Sequence, residues 1–108
     1  MEDNISTLRD ETPELFELIL IGSHIEVERM IKKLHSKHDI KGAIASEYID
    51  EIRNAWQASM RGELLEDYFQ RIRSELIKEK SASTPKMLLI RDYQKFIDKS
   101  RRSELSLH

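Results

Sequence analysis

The sequence predicts an all-α protein, a small up-down helical bundle of about four helices, and three observations carry that prediction. Apolar residues recur at helical spacing along most of the chain. Turn signals are sparse, with Gly 3 and Pro 2 in 108 residues, and neither Asn-Gly nor Asp-Gly is present to close a β-hairpin. The balance of 39% hydrophobic and 35% charged residues is that of a helix-rich globular domain rather than a disordered chain. A chain this short holds one domain, placed at residues 13–100, with a disordered N-terminal segment at 1–12 and a disordered tail at 101–108.

The first helix is expected over 13–37. Thr12-Pro13-Glu14 supplies an N-cap, a proline suited to the first helical position, and an acid for the positive end of the dipole. Phe16, Ile19, Leu20, Ser23, Val27, Met30, Ile31 and Leu34 then form one stripe. Ser23 with Glu26 could act as a capping box for a separate helix after Gly22. The stripe stays in phase across Gly22, so one long helix, bent there, is the expectation. A second apolar line, Leu15, Leu18, Ile21 and Ile25, lies on another flank. These four are the candidate partner-binding residues, either a homodimer seam or the docking line for a partner helix.

A helix over 43–61 follows, with Tyr48, Ile49, Ile52, Trp56 and Met60 on one face. Gly62 can enter the left-handed conformation that ends a helix. The next helix, 63–80, repeats Leu65, Phe69, Ile72 and Leu76, widened by Leu64 and Tyr68. Thr84-Pro85 repeats the cap-and-proline signal and opens a last helix over 86–100, carrying Met87, Ile90, Tyr93 and Ile97, with Leu89 and Phe96 alongside. The expected core is Phe16, Leu20, Val27, Ile31, Leu34, Ile49, Ile52, Trp56, Leu65, Phe69, Ile72, Ile90 and Tyr93.

Composition excludes several functions. Without Cys there is no disulfide, thiolate metal site or cysteine nucleophile, and a reducing, cytoplasmic compartment is expected. The longest apolar patch, Leu15 to Ile21, is interrupted by Glu17 and too short to span a membrane. The net charge of −2 hides an asymmetry: residues 1–30 carry eight acids against two bases, and residues 86–108 carry six bases against three acids. The basic segment has no interleaved aromatics and is diluted by Asp92, Asp98 and Glu104, which argues against nucleic acid as a partner. The simplest expectation is that the two termini lie together and neutralise each other.

His38-Asp39-Ile40-Lys41-Gly42-Ala43 resembles the phosphoacceptor sequence of histidine phosphotransfer domains, helical bundles of about this length with a His-x-Leu/Ile-Lys-Gly signature. The resemblance implies His38 as phosphoacceptor, Lys41 beside the phosphoryl group and a receiver domain as phosphate donor. In such a helix the residues at −5, −1 and +2 from the histidine point inward. Here they are Lys33, Lys37 and Ile40, and burying two unpaired lysines would cost several kcal/mol.

Other chemistry is weaker still. His35 and His38 are i, i+3, and His24 pairs with Glu28, but two to three turns separate the pairs, so one helix cannot bring them to one metal ion. Glu47 with Glu51, and Glu75 with Lys78, are ordinary exposed patterns. No Ser or Thr stands in a nucleophile elbow or phosphate loop. The expectation is therefore a small non-enzymatic protein that binds another protein or a second copy of itself, as an adaptor, chaperone, inhibitor or regulatory subunit. It needs no cofactor, metal or small-molecule substrate. Histidine phosphotransfer is the alternative.

Overall fold

The computed structural model describes residues 5–38, 43–80 and 84–106, and these contain helix and turn but no strand. There are five helices rather than four: α1 (Ile5–Leu20), α2 (His24–His38), α3 (Ala43–Met60), α4 (Leu65–Glu79) and α5 (Thr84–Ser106). α1 and α2 form one helical hairpin and α3 and α4 another. α5 packs mainly on α3 and α1, and more lightly on α4. No helix among the described residues is long and apolar enough to cross a membrane.

The expected single helix over 13–37 is two helices, and Gly22 is the reason. Gly22 has φ 77°. Its N–H donates to the Ile19 carbonyl at 3.1 Å, and the Ser23 N–H reaches back to the Leu18 carbonyl at 3.0 Å. This paired closure satisfies carbonyls that a helix end otherwise leaves open, and it needs a residue at ease with positive φ. The Val27 N–H donates to the Ser23 carbonyl, so the serine expected as an optional cap does open α2. The same closure recurs at Gly62, φ 100°, where Gly62 donates to Ser59 and Glu63 to Ala58, both at 3.0 Å.

The first helix begins earlier than expected. Residues 5–12, expected to be disordered, are helical, and Pro13 lies inside α1. Pro13 removes one hydrogen bond and crowds the preceding turn, a cost of about 3 kcal/mol in an unsupported helix. The turn survives because tertiary contacts hold it: Leu8 is fully buried, and Arg9 and Thr12 bond to other helices. At the other end α5 continues to Ser106, so residues 101–106 are helix instead of tail. Arg101 to Ser106 contain no Gly or Pro to stop it.

The core follows the expected faces. Phe16, Val27, Ile31, Leu34, Ile49, Ile52, Leu65, Phe69, Ile72, Ile90 and Tyr93 are all buried. Phe16 meets Phe69 and Tyr93 edge-on, at centroid distances of 5.9 and 5.3 Å. Such pairs add about 0.5–1.5 kcal/mol each beyond the area they bury. Two expected core residues are not core. Leu20 is 53% exposed, because the chain turns away directly after it, and Trp56 is only half-buried. Leu8, Ala45, Ala55 and Ala58 are buried additions that the apolar stripes did not announce.

Candidate functional site

Two features outside the apolar core carry chemistry. One is buried and joins three helices; the other is an open groove.

The buried feature centres on Tyr48 of α3. Its hydroxyl donates to Asp92 Oδ2 of α5 at 2.5 Å. The Arg9 guanidinium of α1 clamps the same carboxylate with two bonds, Nε to Oδ2 at 2.9 Å and Nη2 to Oδ1 at 2.8 Å. Thr12 Oγ1 stands 3.1 Å from both the Leu8 carbonyl and the Tyr48 oxygen. Tyr48 has one proton and spends it on the charged acceptor, so Thr12 donates its own to either oxygen. Burial, then the bond to Asp92, pushes the Tyr48 hydroxyl far above the usual phenol range. The bond to Asp92 likewise raises Arg9 above the ordinary arginine value. Among the described residues no buried side-chain polar atom lacks a partner. The cluster holds α1, α3 and α5 together, with the Arg9 guanidinium reaching it from a partly exposed position.

The open feature lies between α4 and α5. The two helices meet at Phe69 and Tyr93, whose rings are 4.6 Å apart. Beyond that contact a groove of about 810 Å³ runs between residues 73–80 and 87–95. α4 contributes Arg73, Leu76, Ile77 and Lys80, spaced i, i+3, i+4 and i+7, which is one helix face. α5 contributes Met87, Ile90, Arg91, Gln94 and Lys95, again on one face. Leu76 and Ile90 are buried in the floor, whereas Ile77 is 68% and Met87 41% exposed. The rim carries Arg73, Lys80, Arg91 and Lys95, and among the described residues no acid lines the groove.

These four cations are unclaimed within the described residues, where the ion pairs belong to Arg9, Lys32 and Arg71. Arg71, only two residues from Arg73, shows the contrast. It is bound by Glu63 and Glu75 and lies over the Tyr68 ring. Lys80 adds a second peculiarity, since it closes α4 with φ 55° and is the only non-glycine of positive φ among the described residues.

The expected site residues are dispersed. Leu15 is closed in the core and cannot meet a partner in the folded protein, and Leu18 is half-buried against that core. Ile21 and Ile25 are 72% and 69% exposed, but the turn at Gly22 puts them on different elements. The four-residue ridge therefore does not exist; an exposed pair beside Leu20 remains. Of the phosphoacceptor motif, His38 closes α2, and Asp39 to Gly42, with Lys41, lie outside the described residues. Lys33, which phosphotransfer geometry would turn inward, is exposed. His24 Nδ1 accepts from Trp56 Nε1 at 3.0 Å. Among the described residues no three His, Asp or Glu side chains stand together as a metal site would require.

Sequence reasoning missed the groove. Its signal was Ile77, an apolar residue off the Leu65–Leu76 line and set between Arg73 and Lys80. No protein-family model, curated protein or solved structure matches the chain.

Proposed function

We propose that this protein acts by binding another protein, and that the groove between α4 and α5 is its docking site. One observation carries the reading: an apolar floor with Ile77 and Met87 standing out of it, between two helix faces that no other described helix lines. Exposed apolar side chains in a concave setting with a polar rim are the usual mark of a binding surface. The buried polar cluster supports a binding role over a catalytic one. Its carboxylate, phenol and guanidinium are bonded to one another across three helices, which is the arrangement of a structural clamp.

The reading is tested by Ile77→Asp and Met87→Asp, which place a charge on an already solvated position. Both variants should keep the wild-type circular dichroism and melting temperature. Proteins captured by the immobilised wild type in a pull-down read by mass spectrometry should be lost with either variant. Identical capture by wild type and variants would remove the groove from consideration.

A further inference from the structure

Resting on that reading of the groove, we infer that its occupant is an acidic amphipathic helix of a partner protein, with two or three apolar anchors flanked by Asp or Glu. The anchors follow from size. From Arg73 to Lys80 is seven steps along α4 and its cap, about 10 Å at 1.5 Å per residue, which matches two turns of a docked helix and anchors at i, i+3 or i+4, and i+7. The acids follow from charge. Arg73 and Lys80 stand on one bank, Arg91 and Lys95 on the other, with no carboxylate among the described lining residues to neutralise them. A helix laid between the banks meets cations on both sides, so acids on both flanks of its apolar stripe complete the pairing.

Lys80 supports this independently. A left-handed backbone at a helix end is the place for glycine, and a lysine there sits in a strained conformation. The residue that occupies this position is a cation, and it lines the groove. A nucleic acid strand would ask for aromatic rings to stack its bases, and the lining has none. A bilayer surface is flat, whereas these cations face one another across a concave floor.

The test is fluorescence anisotropy with a labelled model peptide, a helix of leucines at i, i+3, i+4 and i+7 flanked by glutamates, against the same peptide with lysines replacing the glutamates. The acidic peptide should bind the full chain, and the lysine peptide should bind at least about tenfold more weakly. Arg73→Glu with Arg91→Glu should weaken the acidic peptide about tenfold or more, as should raising the salt from about 50 to 500 mM. Lys80→Gly should weaken binding without lowering the melting temperature. Ile77→Asp should abolish binding. If Ile77→Asp abolishes binding of both peptides while the charge reversals change nothing, the groove stands and the acidic partner is wrong. If Ile77→Asp changes neither, the groove reading itself has failed. Ile77-dependent self-association by sedimentation, or Ile77-dependent binding to phosphatidylserine vesicles without peptide binding, would overturn the proposal in favour of a second copy or a membrane surface.

Discussion

Tyr48 and Asp92, forty-four residues apart, are joined by a 2.5 Å hydrogen bond in which the phenol donates to a carboxylate already held by Arg9. That bond ties α3 to α5, and Arg9 ties both to α1. The arrangement makes the three side chains unequal in what they risk. Without Arg9, the Asp92 carboxylate would stand in a nearly closed site with the Tyr48 phenol as its remaining bonded partner. Arg9→Met should therefore destabilise strongly, toward the lower end of roughly 3–5 kcal/mol because the guanidinium is partly solvated. The triple change Arg9→Met, Tyr48→Phe, Asp92→Leu should recover most of that loss, since a matched apolar set leaves nothing unpaired. Urea denaturation of the two variants measures both numbers; equal stability of the single and triple variants would show that the charge is not what Arg9 answers.

Burial of the phenols sets the response to alkali. Tyr48 and Tyr93 are raised above the ordinary phenol value, and Tyr68 is pushed up to about 12, burial being the largest cause in each. A group whose folded value is raised contributes stability that is complete below its unfolded value and is lost as pH climbs through the folded one. Stability should be level up to about pH 10 and then fall, at about 1.4 kcal/mol per pH unit for each phenol the unfolded chain ionises first. Tyr48→Phe should be less stable at neutral pH, by about 1.5–3 kcal/mol for the bond lost to a charged acceptor, and its decline above pH 10 should be shallower. Denaturation at several alkaline pH values checks the slope, and parallel curves would contradict it.

Gly22 and Gly62 invite the same substitution for the same reason. Both have positive φ, and a Cβ built on either meets no atom within 4 Å. The cost of Gly22→Ala or Gly62→Ala is therefore conformational and not steric. It should be about 1–2 kcal/mol, offset in part by the reduced freedom of the unfolded chain. Asn tolerates this conformation better, so Gly22→Asn should fall between glycine and alanine. Melting temperatures of the three Gly22 variants give the order directly.

These elements also show how far the sequence could be read. Helix faces were legible because burial imposes a period of 3.6, and Phe16, Val27, Ile31, Ile52, Phe69 and Ile72 all lie where that period puts them. Gly62 was legible because the stripes on its two sides fall out of phase. Gly22 was not, since the stripe runs through it unbroken and phase alone cannot report a reversal of the chain. Thr12-Pro13 looked like a helix start because the contacts that carry α1 through a proline come from Tyr48 and Asp92, far along the chain. Charge was legible in amount but not in direction. The two termini do meet through an ion pair, but it joins Arg9 from the acidic end to Asp92 from the basic end. Of the bases of α5, Arg91 and Lys95 line the groove beside α4 while Lys86 lies near Glu51 of α3, and only tertiary structure could place them.

Trp56 offers a spectroscopic handle on the corner where α2 begins. Its indole N–H can donate to His24 Nδ1 only while that nitrogen is unprotonated. His24→Leu removes the acceptor and leaves the indole N–H to water. The Trp56 emission, from the only tryptophan in the chain, should therefore differ between the wild type and His24→Leu. Identical emission from the two would mean that the bond does not form in solution.

Leu15 and Ile21 looked like neighbours on one ridge, and the structure separates them completely. Leu15 is fully buried, so Leu15→Ala should cost about 2–5 kcal/mol through lost burial and the cavity left behind. Leu15→Glu should prevent folding, because an unpaired carboxylate would be forced into the core. Ile21, 72% exposed in the turn after α1, has little to lose. Ile21→Glu should change stability by no more than about 0.5 kcal/mol, and Ile25→Glu likewise. Neither should affect binding of an acidic helix in the α4–α5 groove, whose lining they do not share. Thermal melts of the four variants beside the peptide anisotropy assay separate the cases. Loss of stability at Ile21 would mean that the turn packs against the core, and loss of peptide binding would mean that the docking surface lies around α1 and α2 instead.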